Sequence, residues 1–300
     1  MKNIEAILSN YDSDNPGTKG NLYRILNHGV LANTGRLVIL PVDQGLEHGP
    51  DKSFSKNPAA YDPYYHYELA IDAGLSAYAA PLGMLECGAT KFAGKIPTIL
   101  KLNSSNSLLS KSIAPDQAIT GSVDDALRLG CAAVGMTIYP GSDKSLDMIE
   151  EAREIIREAK AKGLATVIWS YPRGGALSKE DETALDVCSY AAHMAALIGA
   201  HIIKVKIPSM HVMSKESGIE HITTLSDAVK HVVRSCFKGK RIVVFSGGVT
   251  KSESDILNEV KSIHDGGGNG SIMGRNSFQR SKKDALGLLG KISNIYCGQT

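Results

Sequence analysis

No stretch of the chain approaches the eighteen consecutive apolar residues of a membrane-spanning helix, and the opening MKNIEAILSNYD lacks the apolar core of a secretory signal. The expected compartment is the cytoplasm. Cysteine is scarce and unpatterned: Cys87, Cys131, Cys188, Cys236 and Cys297 are odd in number, widely spaced and form no CxxC pair. That argues against a disulfide framework and against a zinc site. Histidines with metal-ligand spacing are also missing, so no metal or other cofactor is expected. Nor is there an excess of charge of one sign. The formal net charge is +2, with lysine and arginine spread along the chain, which removes the case for a nucleic-acid partner and makes any anion binding local.

What is present suits a globular enzyme. The 300 residues are 43% apolar and 21% charged, enough chain to bury a large core without staples. Residues 1–30 carry a short helical pattern at Ile4, Ile7 and Leu8, a polar stretch through Gly20, and a second helical pattern at Leu22 to Leu26; they read as an N-terminal extension. From residue 31 to 300 one unit recurs: apolar strand, loop, amphipathic helix. The predicted strands are 37–42, 75–80, 96–102, 132–138, 165–169, 201–206, 241–245 and 270–273; the predicted helices are 60–73, 83–91, 123–129, 145–162, 179–197, 224–236, 253–264 and 277–292. Eight such alternations give a parallel sheet, and a single (β/α)8 barrel is its simplest closure, with the active site at the C-terminal strand ends. A doubly wound open sheet is the alternative.

The sixth strand, AHIIKVKIP, separates the two. Side chains alternate along a strand, so Ile203, Val205 and Ile207 share a hydrocarbon face while Ile202, Lys204 and Lys206 share the other. The two ammonium groups lie about 7 Å apart along the strand. An open sheet leaves them against covering helices, at a cost; a barrel turns them into a polar cavity. Mutual repulsion and desolvation are expected to make one lysine lose its proton easily, and a neutral lysine amine attacks carbonyls. The alternative is that both bind anions or sit at a solvated strand end.

Other strand ends converge on the same mouth. VDQGLEHGP places Asp43 inward after the first strand, with Glu47 and His48 on the following loop, although a lone Asp there is often a turn former or helix cap. The third strand offers Lys101 and Asn103 inward, and the fourth Thr137 and Tyr139. The fifth, VIWSYPRGG, gives Trp169 and Tyr171 one parity and Arg173 beyond; a phenol beside two lysines can move protons with a lowered pKa, and an arginine can hold phosphate or carboxylate. Ser246, Gly247 and Gly248 after the seventh strand, with Gly274 and Arg275 after the eighth, match the phosphate place of many barrels.

In this order, VDQGLEHGP, VIWSYPRGG, HIIKVK, FSGGV and MGRNSFQR resemble the DhnA-type, or archaeal-type, class I fructose-bisphosphate aldolases, over residues 31 to 290 or so. The resemblance implies a (β/α)8 barrel that cleaves fructose 1,6-bisphosphate to dihydroxyacetone phosphate and glyceraldehyde 3-phosphate through a lysine Schiff base without a metal, and a homo-oligomer, often a decamer. It implies Lys204 as the imine lysine, Tyr171 as proton donor and acceptor, and Asp43 as the group handling protons around the carbinolamine. Gln44, His48, Trp169, Arg173, Lys206, Ser246, Gly247, Gly248, Gly274 and Arg275 are the implied substrate contacts. His201 departs from the family, which usually carries an acidic residue there. The motifs do not separate cleavage of this sugar from transaldol or acyl-transfer reactions of related enzymes, and a noncatalytic sugar-phosphate binder is the reading from another class.

Overall fold

Eight parallel strands close into a barrel in the computed structural model of the chain, which describes residues 4–110, 112–247 and 252–299. They are β1 (Leu37–Pro41), β2 (Ala77–Pro81), β3 (Thr98–Lys101), β4 (Ala133–Ile138), β5 (Ala165–Ser170), β6 (Ile202–Lys206), β7 (Ile242–Ser246) and β8 (Gly270–Ile272). Each neighbours its predecessor, and β8 closes on β1 with Leu37 opposite Gly270 and Ile39 opposite Ile272. The open-sheet alternative is thereby excluded. A two-residue ribbon, Asn103–Ser104 against Ala118–Ile119, ties down the loop after β3.

The helices are α1 (Ile4–Leu8), α2 (Pro16–Leu26), α3 (Gln44–His48), α4 (Pro50–Phe54), α5 (Pro63–Asp72), α6 (Leu82–Gly88), α7 (Val123–Arg128), α8 (Ser145–Ala161), α9 (Leu185–Leu197), α10 (Leu225–Ser235), α11 (Glu253–Asp265), α12 (Arg275–Phe278) and α13 (Lys282–Tyr296). Three of the boundaries that differ from the periodicity have local reasons. The polar stretch before Leu22 is helical, because Asn15 caps the N–H of Thr18 and Pro16 takes the first helical position. The helix expected from Lys179 starts only at Leu185: Asp181 accepts the Ser178 N–H at 2.9 Å, and Glu182 turns toward lysines, leaving a short 3-10 turn first. The last helix is split, since Ser281 caps the N–H of Asp284 and starts α13 anew.

Alternation along the strands produces two cores. Ile203 and Val205 of β6 join Val38, Leu40, Ile168 and Val243 in a shell beneath the helices, while Ile202 joins Leu37, Ile39, Ile99, Val167, Ile242 and Ile272 inside the barrel. The interior core continues into the N-terminal segment: Ile4, Ile7, Tyr11, Leu22, Ile25 and Leu26 pack against its lower end. Each fully buried aliphatic side chain contributes about 1.5–3 kcal/mol, so α1 and α2 are held as a floor.

Most polar groups at that floor are paired, the Arg241 Nε excepted. The Tyr11 hydroxyl donates to the His201 carbonyl at 2.8 Å and accepts the Ile242 N–H at 3.1 Å, bridging β6 and β7. His201 Nδ1 accepts the Thr166 N–H at 2.9 Å, so the imidazole is neutral with its proton on Nε2, which donates to Asp14 at 3.1 Å. Lys160 Nζ lies 3.2 Å from the other Asp14 oxygen. The residue that departs from the family thus anchors the N-terminal segment, far from the strand ends that carry Lys204.

Candidate active site

The opposite end of the barrel is built from the residues that follow each strand. Asp43, Gln44 and His48 after β1, Tyr171 and Arg173 after β5, and Lys204 and Lys206 on β6 line one cavity. Ser246 at the end of β7 and Gly247 beyond it, with Gly274 and Arg275 after β8, complete it. Gly248 lies outside the described residues. Trp169 is placed differently: it is buried one layer down and does not line the cavity, but its ring is the floor beneath Lys204, whose Nζ lies 5.8 Å from the ring centroid.

That floor depends on a glycine. Gly135 lies on the inner face of β4, between Lys101 of β3 and Val167 of β5, and a Cβ there would come within 2.1 Å of the Trp169 ring. The indole therefore extends from β5 across β4. Gly274 permits a second close approach, because a Cβ on it would lie 3.0 Å from the Gln44 amide nitrogen and 3.1 Å from the Pro41 carbonyl oxygen.

Lys204 is 6% exposed, with its Nζ 4.9 Å from the centre of the Tyr171 ring. Burial pushes its pKa down to about 8, against the pull of Asp43 and Glu47 and with help from Arg275. The free amine is thus on the order of a hundredfold more abundant at neutral pH than for an ordinary lysine. Of the two causes expected from the sequence, desolvation is the one at work, whereas repulsion from Lys206 is not. Lys206 is occupied with Glu182 at 2.9 Å, which also takes Lys179 at 2.7 Å, so its charge is answered locally.

Tyr171 corrects another expectation. Its phenol is pushed up, not down: burial dominates, and the carboxylates of Asp43 and Glu47 add to it more than Arg173 offsets. The hydroxyl sits 3.4 Å from Ser246 Oγ and is protonated at neutral pH. Arg173 is not a free anion clamp either, since it pairs with Glu47 at 3.2 Å and donates to the Tyr139 hydroxyl at 3.3 Å. Burial lowers the pKa of His48 despite the adjacent Glu47. Among the described residues Arg275 has no ion-pair partner.

Several buried polar atoms here lack a partner in the protein: Gln44 Oε1, His48 Nδ1, Arg173 Nε and Trp169 Nε1. Unsatisfied buried groups cost about 1–3 kcal/mol each, and a cluster of them at one cavity fits a site that a polar ligand completes. Among the described residues no group of three or more His, Cys, Asp or Glu side chains is placed to hold a metal ion. Sequence reasoning missed Glu182, one acid in the run KEDET, because nothing in its spacing shows that it folds back onto Lys206.

Comparison with known proteins bears on the family and the fold. The DeoC/LacD family aldolase pattern matches residues 37–280. A Chlamydia muridarum protein described as a probable fructose-bisphosphate aldolase class 1 is 36% identical over 295 residues, covering 93% of this chain and 84% of that protein. The fructose-bisphosphate aldolase class 1 of Thermoproteus tenax is 37% identical over 270 residues, covering 90% and 92%. A solved archaeal fructose-1,6-bisphosphate aldolase, whose catalytic lysine is covalently bound to the carbinolamine intermediate, superposes with a TM-score of 0.75 at 35% identity, over 87% of this chain and 94% of that one. The barrel, its lysine-bearing β6 and these matches together place the chain in the DeoC/LacD family of aldolases, beside relatives described as class I fructose-bisphosphate aldolases.

Proposed function

We propose that the chain catalyses the reversible cleavage of fructose 1,6-bisphosphate to dihydroxyacetone phosphate and glyceraldehyde 3-phosphate through an imine on Lys204. The observation that carries the reading is a buried lysine with a depressed pKa, set against a phenol at the mouth of an aldolase-family barrel. The neutral amine attacks the C2 carbonyl, a C–N bond forms, and the carbonyl electron pair becomes the carbinolamine hydroxyl. Asp43 orients that hydroxyl, Tyr171 gives it a proton, and water leaves with its C–O bonding pair as the nitrogen lone pair closes the iminium.

The iminium draws electrons from the C3–C4 bond, so cleavage delivers the pair to an enamine in place of an unstabilised carbanion. The Tyr171 phenolate, countered by the iminium charge, takes the C4 hydroxyl proton as the aldehyde departs and then returns it to C3 of the enamine. Hydrolysis restores the amine. Ser246, Gly247, Gly248, Gly274 and Arg275 hold one phosphate and fix the carbonyl over Lys204, which makes the attack intramolecular. Gln44, His48, Arg173 and Lys206 face the other half of the sugar, and Trp169 supports the imine from below. Arg173 and Lys206 exchange their glutamates for the second phosphate. A homo-oligomer is in keeping with the family resemblance, and a cytoplasmic location fits the phosphorylated substrate.

Intact-mass measurement after borohydride reduction with dihydroxyacetone phosphate tests the reading. A single adduct on the wild type, absent from Lys204→Met together with an activity loss of a thousandfold or more (roughly 4 kcal/mol of barrier), is expected. No adduct on the folded wild type would leave a phosphate-binding barrel without imine chemistry.

A further inference from the structure

Lys101 is a buried ammonium that the reaction above does not use. It is 2% exposed on the inner face of β3, separated from Lys204 on β6 by β4 and β5. Its Nζ donates to the Asn103 carbonyl oxygen and, at 2.9 Å, to Asn103 Oδ1. That carboxamide cannot swing, since its Nδ2 donates to the Thr137 carbonyl at 2.8 Å and its Oδ1 accepts the Thr137 N–H at 2.7 Å. Among the described residues Lys101 makes no direct ion pair. A buried cation bonded only to neutral oxygens is costly, and such costs persist where function uses the charge.

The position of the charge indicates its use. Because Gly135 lets the Trp169 indole reach across β4, the Nζ atoms of Lys101 and Lys204 both stand 5.8 Å from the centre of one ring. Asp43 and Glu47 are the anions that both ammonium groups feel. Arg275 at the start of α12 and the protonated Tyr171 just after β5 act on Lys204 from the other sides, and Lys206 has its charge met by Glu182.

We propose that Lys101 is a positioning residue for the chemistry at Lys204: as a second buried cation set against the same indole, it opposes the charged form of that lysine and keeps the Lys204 amine available as a free base. The inference rests on the imine reading of Lys204. Burial lowers Lys101 itself to about 8, with the charge of Lys204 contributing, which fits two cations in one field. Without the second cation, the two carboxylates act on Lys204 alone and favour its charged form.

The test is the pH dependence of kcat/KM for Lys101→Gln, whose amide can still reach Asn103, with Lys101→Arg as the variant that keeps the charge. The acid limb, which follows deprotonation of Lys204, is expected to move up by about one pH unit in Lys101→Gln and to stay at the wild-type position in Lys101→Arg. Competitive acetylation of Lys204 against pH, read by mass spectrometry, gives the same shift without relying on turnover. A Lys101→Gln enzyme with lower activity at every pH and an unmoved limb overturns the proposal, as does Lys101→Arg shifted as far as Lys101→Gln. Should the amide variant not fold, Lys101→Met removes the charge and its bonding demand together and carries the same expectation. Borohydride trapping on the wild type is the separate control: its failure sinks the imine reading, whereas its success with an unmoved limb sinks only the role of Lys101.

Discussion

The two ends of the barrel treat buried polar groups in opposite ways. At the floor, Tyr11, Asp14, Thr166 and His201 are locked into one hydrogen-bonded set under the N-terminal helices. At the mouth, among the described residues, Lys204 and Lys101 are buried without a carboxylate in contact, and Gln44, His48, Arg173 and Trp169 each keep a polar atom unpartnered. β5 and β6 contribute to both ends from opposite parities, Thr166 and His201 to the floor and Trp169 and Lys204 to the mouth. The satisfied end contributes stability. The unsatisfied end stores cost that a bound sugar phosphate relieves, the usual trade between stability and activity.

Substitutions that act on one end alone break or sharpen this contrast. The largest effect is expected for Tyr171→Phe, which removes the hydroxyl proposed to carry the proton and leaves the ring beside Lys204. kcat should fall about 10²–10⁴-fold while the melting temperature holds or rises, and borohydride trapping should still find Lys204. A variant that melts early would mean that the mouth is structural as well.

Next in size, Asp14→Ala leaves the buried imidazole without its acceptor and should cost about 2–4 kcal/mol, lowering the melting temperature by several degrees, with kcat per folded molecule unchanged. The floor should also weaken in acid. Burial holds the His201 pKa below 6.5, with Asp14 opposing, so the neutral imidazole favoured by the fold contributes stability above pH 6.5 that is lost as pH falls through the folded value. Burial raises Asp14, but His201 and Lys160 outweigh that and bring it to about 2, so a second loss runs from pH 3.8 down to that value. Urea titrations across that range read both, and a stability independent of pH below 6 would contradict the pairing.

The smallest effect is expected for Gly135→Ala, which touches the floor of the mouth only. The indole has to move by more than a methyl contact, at about 1–3 kcal/mol, and kcat/KM should drop while Tyr11 and His201 are undisturbed. Fluorescence of Trp169, the sole tryptophan, reports the displacement directly. An unchanged spectrum with wild-type activity would show that the ring does not support the lysines.

Much of this was legible in the chain. The eight strands and their inward parity could be read because a strand's period of two separates Ile203 and Val205 from Lys204 and Lys206 whatever surrounds it. Asp43, Tyr171, Arg173 and the glycines after β7 and β8 could be placed at the mouth because each follows directly on a strand. The start of α9 could not be read, since it depends on Glu182 finding Lys206 across a loop. Nor could the direction of the Tyr171 shift, which depends on how completely the fold dries the phenol.

By itself, then, the sequence determined the barrel, the end that carries the candidate site, and the lysine pair on β6, because all of these follow from periodicity and from residue type at strand ends. Tertiary structure alone decided that Glu182 answers Lys206, that Lys101 and Lys204 share one indole through Gly135, and that His201 anchors the N-terminal helices. Each of these joins groups far apart in the chain, and the distances and burial that set their charges exist only once the barrel has closed.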